Sequence, residues 1–194
     1  ELNALAVAIP ASALDKMRHN PNVVAIEQDP ERAPAASPAA VAEVTTAQVV
    51  PWGIDAVQAP RVWAKGYEGE GVNVCVIDTG LYAEHEDLEG LPSIGGSSQV
   101  DNQWDYDGYG HGTHVVGTIG AVDNDLGVIG VSPGKVNIFM VKIFDNAGEW
   151  VSKAHASDLI AAAQLCGDEG ANIISMSLSG TNSSGKERMA FDAL

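Results

Sequence analysis

Positive charge is scarce in this sequence. Ten Lys and Arg stand against 26 Asp and Glu among 194 residues, a formal net charge of −16. So acidic a surface repels nucleic acid and anionic lipid, and neither is expected as a partner. It suits a soluble protein that is secreted or exposed to salt. Long apolar runs are missing as well. No stretch approaches 18 consecutive apolar residues, so no membrane span is expected. There is no initiating Met and no secretory leader. The chain opens on Glu1, and its natural start is expected upstream. Cysteine is sparse: Cys75 and Cys166 fit one disulfide in an oxidising compartment, or two buried thiols, or partners in sequence beyond this stretch.

What is present supports one ordinary domain with an appendage. The apolar fraction is 45%, and 21 Gly and nine Pro are spread along the chain, as many short turns require. Residues 3–9 (NALAVAI) and 22–27 (NVVAIE) read as strands. Between them a helix opens at Pro10-Ala11-Ser12, with Ser12 and Asp15 at capping-box spacing, and stops at Asn20-Pro21. Residues 30–47 are rich in Ala and Pro, without Gly, and read as an extended linker open to proteases. Beyond it strands and helices alternate. Residues 72–77 (VNVCVI) and 136–144 (VNIFMVKIF) have the unbroken apolar character of parallel strands covered on both faces. Residues 152–166 carry a helical stripe of Ala156, Leu159, Ile160 and Ala163, closed by Gly167. Residues 172–178 (NIISMSL) read as another strand, and Glu187 to Leu194 as a helix. The alternation predicts an α/β fold with a doubly wound, mostly parallel sheet, preceded by a small α+β remnant.

In such sheets reactive groups gather at the carboxyl ends of strands. Asp78 ends the first apolar strand, and the segment GHGTHVVGT carries His111 33 residues later. Gly112, Thr113 and Gly117 would let a helix start close against the sheet with His111 at its amino end. A carboxylate beside an imidazole fixes its tautomer and stabilises the imidazolium that forms when it takes a proton.

VIDTG followed by GHGTHVVGT resembles the subtilisin-like serine proteases, and the resemblance covers nearly the whole chain. Residues 47–65 look like the start of a mature subtilase, and residues 1–29 like the carboxyl-terminal half of its inhibitory propeptide. The linker 30–47 would then hold the maturation cleavage site, near Thr46-Ala47 or earlier, and 48–194 an amino-terminal part of the catalytic domain. The resemblance implies a secreted, monomeric serine endopeptidase, made as an autoprocessed zymogen, acting on protein and peptide substrates and inhibited by its own propeptide. Asp78 would be the orienting acid, His111 the general base and His114 a structural second His. Ser177, Leu178, Ser179 and Gly180 match the strand that pairs with substrate backbone, with Ser179 in place of a Gly. Phe144, Leu178 and Leu159 are candidates for an apolar subsite or for core, and Glu149 and Trp150 for an altered substrate rim. The resemblance further implies a structural Ca²⁺ held by the side chains of Gln48, Asp87 and Asn124 and the carbonyls of Val122, Leu126 and Val128. Gln48 is expected to reach that site only once the linker is cut.

The family's nucleophile sits in a Gly-Thr-Ser-Met-Ala-like helix start. No such motif occurs here, nor the oxyanion Asn, and Ser183-Ser184 lies in a polar stretch without a base-compatible setting. This chain alone is therefore expected to be inactive. Other readings remain at this stage. The full gene could encode a pseudoprotease or an inhibitory or binding module. Asp78-Thr79-Gly80 also matches the aspartic proteases, although Leu81 follows and no second such motif occurs. His85, His111 and His114 could form a zinc site.

Overall fold

The computed structural model describes residues 4–35, 47–147, 155–180, 182 and 184–194. The elements run α1 (Ala11–Arg18), β1 (Ala33–Pro34), α2 (Trp52–Ala56), α3 (Ala59–Trp63), β2 (Asn73–Asp78), a 3₁₀ turn (Glu86–Leu88) and β3 (Ser93–Ser98). They continue with α4 (His111–Gly120), β4 (Asn137–Lys142), α5 (Ala156–Asp168), β5 (Ile173–Ser175), β6 (Leu178–Ser179) and α6 (Gly185–Phe191). One parallel sheet has the order β3-β4-β2-β5, and β1 pairs with β6 antiparallel in a separate ribbon.

The apolar run of β2 explains the layering. Successive side chains of a strand face opposite ways. Val74 and Val76 enter a cluster with Val116 of α4, Ile138 and Met140. Cys75 and Ile77 enter the opposite cluster with Leu159, Ala162, Ala163 and Cys166 of α5. The two helices thus cover opposite faces, the doubly wound arrangement the alternation predicts. Burying a side chain such as Ile77 completely contributes about 1.5–3 kcal/mol. A disulfide joins Cys75 to Cys166 across 91 residues and ties α5 to the central strand. Closing a loop of that length removes unfolded-chain entropy equivalent to about 4.6 kcal/mol. Phe144 is fully buried in this same cluster, so it is core rather than a subsite wall.

Several elements depart from the sequence reading. β3 (SIGGSS) has no apolar alternation. Its glycines are there for space: a Cβ on Gly96 would lie 2.5 Å from the Trp104 ring and 2.6 Å from the Met140 carbonyl. The apolar stretch 172–178 divides. β5 stays in the main sheet beside β2, whereas Met176 and Ser177 leave it and β6 takes β1 as partner. The supposed linker therefore begins as a docked strand; its residues 36–46 lie outside the described range, as do Glu149, Trp150 and Ser183.

The amino-terminal remnant is not an α+β unit. Stretches 4–9 and 22–27 form no strand, and Leu5, Val7 and Val24 are exposed. A strand needs a ladder partner, and neither stretch finds one among the described residues. Helix α1 buries none of its residues, and Pro10 stands at its N-cap without a side-chain cap bond, so the Ser12–Asp15 capping box does not form.

Candidate active site

Parity along β2 places the first group. Asp78 shares the face of Val74 and Val76, so its carboxylate points toward α4. Helix α4 begins at His111, and Gly110, at φ 88°, turns the chain into it. The helix can approach only because residue 112 has no side chain: a Cβ there would lie 2.2 Å from the Gly80 carbonyl and 3.2 Å from Asp78 Cβ. His111 Nδ1 then lies 2.7 Å from Asp78 Oδ1, with Asp78 1% and His111 9% exposed. With the carboxylate accepting, Nδ1 carries the proton and Nε2 is left for proton transfer.

Burial pushes the Asp78 carboxyl above its ordinary range. The hydrogen bond with His111, the Thr79 N–H at 2.8 Å and the charge of His111 pull it back without cancelling the rise, and nearby Asp107 adds to it. Asp78 Oδ2 is buried with no hydrogen-bond partner among the described residues. This carboxylate is held where charge is costly, as sites of proton transfer commonly are.

Asp107 was not singled out from the sequence, yet it organises the entry to α4. Its Oδ1 accepts from Thr79 Oγ1 at 2.9 Å and Gly110 N at 2.8 Å. Its Oδ2 accepts from Thr113 N at 2.9 Å and Thr113 Oγ1 at 2.7 Å. Thr79 Oγ1 in turn accepts from Gly112 N at 2.9 Å. One acidic side chain thus caps the helix and locks the Asp78 loop against it. An acid a few residues before a His-led helix was the available signal.

The chain's own segment lies along residues 177–179, and the groove beside it is bordered by Leu178, Ser179, Gly180 and Arg32. Ala33 stands opposite Ser179 and Pro34 opposite Leu178, while Ala35 N donates to the Ser177 carbonyl at 2.9 Å. Leu159 and Leu178 line this groove, together with Met176 and Phe191, which the sequence did not mark. Upstream, Asp29 accepts from Ser157 N at 3.0 Å and from Ser157 Oγ, and Glu27 accepts from Gly185 N and Lys186 N, each at 3.0 Å. Two carboxylates thereby satisfy the open amides at the starts of α5 and α6.

The candidate calcium residues also converge. Gln48 Nε2 lies 2.7 Å from the Val122 carbonyl, 3.2 Å from that of Val128 and 3.3 Å from Asn124 Oδ1. Leu126 joins through its N–H, which donates to Asn124 Oδ1 at 3.1 Å. Asp87 Oδ2 accepts from Val128 N at 3.1 Å, but its Oδ1 is buried without a partner among the described residues. Three oxygens around one donor, beside an orphaned carboxylate oxygen, are an excess of acceptors that fits a hard cation. Gln48 reaches this cluster while residues 33–35 are docked in the same unbroken chain. No group of three His, Cys, Asp or Glu side chains gathers among the described residues, and the Nδ1 atoms of His111 and His85 are engaged with Asp78 and the Asp87 N–H. The zinc reading lacks a ligand set, and the parallel α/β sheet removes the aspartic-protease reading.

A model of the Subtilase family (Peptidase S8) matches residues 69–193. The chain belongs to this family. It is 41% identical over 147 residues to subtilisin DY of Bacillus licheniformis, covering 75% of this chain and 51% of that protein. It is 35% identical over 191 residues to a thermostable alkaline protease of Halalkalibacterium halodurans, covering 98% of this chain and 47% of that one. Among solved structures it resembles the psychrophilic subtilisin-like protease Apa1 from the Antarctic psychrotroph Pseudoalteromonas sp. AS-11. The TM-score is 0.66 at 35% identity, over 76% of this chain and 33% of the other. The subtilase chain described here spans about half the length of the curated relatives it matches.

Proposed function

We propose that this chain is the propeptide tail and the amino-terminal part of the catalytic domain of a secreted serine endopeptidase. The observation that carries the reading is the buried hydrogen bond between Asp78 and His111 at the carboxyl end of a central parallel strand. In the complete enzyme His111 takes the proton of a nucleophilic Ser through Nε2 and later returns it to the leaving amine, while Asp78 holds the tautomer and stabilises the imidazolium. The Ser is supplied by sequence this chain does not include. Taken alone, the chain has no peptidase activity.

Residues 1–35 act as the inhibitory propeptide. Their tail occupies β6 as a substrate would, by strand addition. Because the chain is laid on that strand up to Ala35, we place the maturation cut just after Ala35 rather than at Thr46-Ala47. The Cys75–Cys166 disulfide supports an oxidising, extracellular destination. The side chains of Gln48, Asp87 and Asn124 and the carbonyls of Val122, Leu126 and Val128 would hold a structural Ca²⁺, which fastens the 122–128 loop to the segment after the linker.

The test is to express the complete gene and treat the product with a fluorophosphonate probe. Labelling, casein hydrolysis and an amino terminus soon after Ala35 are expected. An unlabelled, inert product would make the protein a pseudoprotease. Casein turnover by the 194-residue chain alone would show that it holds a nucleophile of its own.

A further inference from the structure

The segment docked on β6 carries one charged side chain into the groove. Arg32 is 5% exposed. Its Nε donates to Glu187 Oε1 at 3.0 Å, and Nη2 donates to Oε1 at 2.6 Å and Oε2 at 2.5 Å. The remaining terminal nitrogen, Nη1, donates to the Glu31 carbonyl at 2.9 Å. The Glu187 side chain is itself 14% exposed. Arg32 and Glu187 border a cavity whose other walls are the apolar Leu159, Met176, Leu178 and Phe191 and the polar Ser179 and Asn182.

A carboxylate in such surroundings is costly unless a cation meets it, and a forked guanidinium meets it best. The backbone of Glu187 is fixed independently of the arginine, its N–H donating to Ser184 Oγ at 2.9 Å at the start of α6. Gly180 opens the route. A Cβ there would lie 2.6 Å from Arg32 Nη1 and 2.8 Å from the Glu31 carbonyl. Backbone register and side-chain pocket are thus fitted to the same residue. A peptide laid on β6 in the same register would present its corresponding side chain to Glu187.

We propose that Glu187 makes this groove a subsite for arginine. The enzyme selects extended peptides in which Arg lies three residues before the residue whose N–H bonds to the Ser177 carbonyl, as in Arg32-Ala33-Pro34-Ala35. The inference rests on the endopeptidase reading for its biological use, but not for its geometry. Lysine is a poorer occupant because a point charge cannot fill a two-oxygen fork. Acidic residues are rejected by like charge.

The experiment uses the complete protein as the host releases it. The probes are quenched fluorescent peptides built on Glu-Arg-Ala-Pro-Ala, with the Arg kept or replaced by Lys, Leu or Glu. The expected kcat/KM falls about tenfold to a hundredfold from Arg to Leu, with Lys between them and Glu lowest. In the Glu187→Gln variant the Arg-to-Leu ratio shrinks toward one, and in Glu187→Lys the order of the Arg and Glu peptides reverses. Ratios within one variant are insensitive to how much of it folds. Fluorescence anisotropy of the same labelled peptides reads the groove without cleavage. Arginine-selective binding without turnover would keep the subsite and reject the endopeptidase reading. Cleavage or binding with no preference for Arg, or a preference that survives Glu187→Gln, would overturn the subsite and mean that Arg32 merely anchors the chain's own tail.

Discussion

The Gly80 carbonyl oxygen occupies the space where a side chain on residue 112 would begin: a Cβ there would stand 2.2 Å away. This contact sets how near α4 can come to the end of β2, and hence the 2.7 Å separation of His111 Nδ1 and Asp78 Oδ1. The Gly112→Ala variant should push the helix outward. Overpacking a close contact costs about 1–3 kcal/mol, so urea unfolding should show a loss of that size. In the complete enzyme kcat should fall far more than KM rises, because the base is displaced while the β6 groove is untouched. A variant with parental kcat would show that the close approach is irrelevant to the proton transfer.

The Asp78 carboxyl titrates above its ordinary value because burial outweighs the help it receives from His111 and Thr79. The sign of the consequence follows from linkage. The native state holds this proton more tightly than the unfolded chain, so this group's contribution to stability is greatest below the unfolded value of 3.8. It declines as pH rises through the raised native value and then levels off. Asn at this position has no proton to lose. The stability of the parent minus that of Asp78→Asn should therefore fall across that window and be flat above it, as read from urea midpoints at a series of pH values. A difference that rises with pH would contradict the account. The complete enzyme should meanwhile lose on the order of 10⁴-fold in kcat, as loss of the triad aspartate of a subtilisin costs about 3 × 10⁴. The acid would then be kept for chemistry at a cost in stability.

Reduction offers an independent test of the core. The Cys75–Cys166 bond ties α5 to β2, and its removal should cost about 2–5 kcal/mol. Paired Cys75→Ala and Cys166→Ala substitutions should lower the urea midpoint accordingly. Dithiothreitol should lower the parent's midpoint and leave the double variant unmoved. Equal sensitivity of both proteins would place the effect elsewhere.

The central strands and the acid–base pair were legible in the sequence because they obey local rules. An apolar run marks a strand buried on both faces, and parity then assigns Asp78 to the face of α4. What the sequence hid depends on contacts remote along the chain. β3 is a strand made of small residues because Trp104 and the Met140 carbonyl need the space. Asp107 matters through four hydrogen bonds that only the folded loop assembles. Phe144 looked like a candidate subsite because a Phe at a strand end fits either environment; packing against α5 decides it. The Arg32–Glu187 pair spans 155 residues, and neither partner lies in a recognisable motif. The amino-terminal apolar stretches failed as strands for the converse reason, since periodicity cannot supply a missing ladder partner.

The cluster around Gln48 has two physical explanations that one substitution separates. In the first, a cation sits among the oxygens, with Asp87 Oδ1, buried and unpartnered among the described residues, as one of its donors. In the second, the Gln48 amide alone holds the loop by donating to the Val122 and Val128 carbonyls and Asn124 Oδ1. If Ca²⁺ is present at about 100 times its Kd, it adds about 2.7 kcal/mol to stability, and EGTA should lower the Tm of the complete enzyme by about 5–10 °C. The Gln48→Glu variant then decides. A cation gains a charged ligand, so the variant should keep or exceed the parent's calcium-dependent Tm shift. Without one, a new carboxylate would face three acceptor oxygens with no proton between them, and the Tm should fall in calcium and EGTA alike. Asp87→Asn should reduce the calcium-dependent shift under the first account only, because it weakens the one charged donor. A Tm indifferent to chelator, together with a destabilised Gln48→Glu, would assign the loop to the amide and exclude the ion.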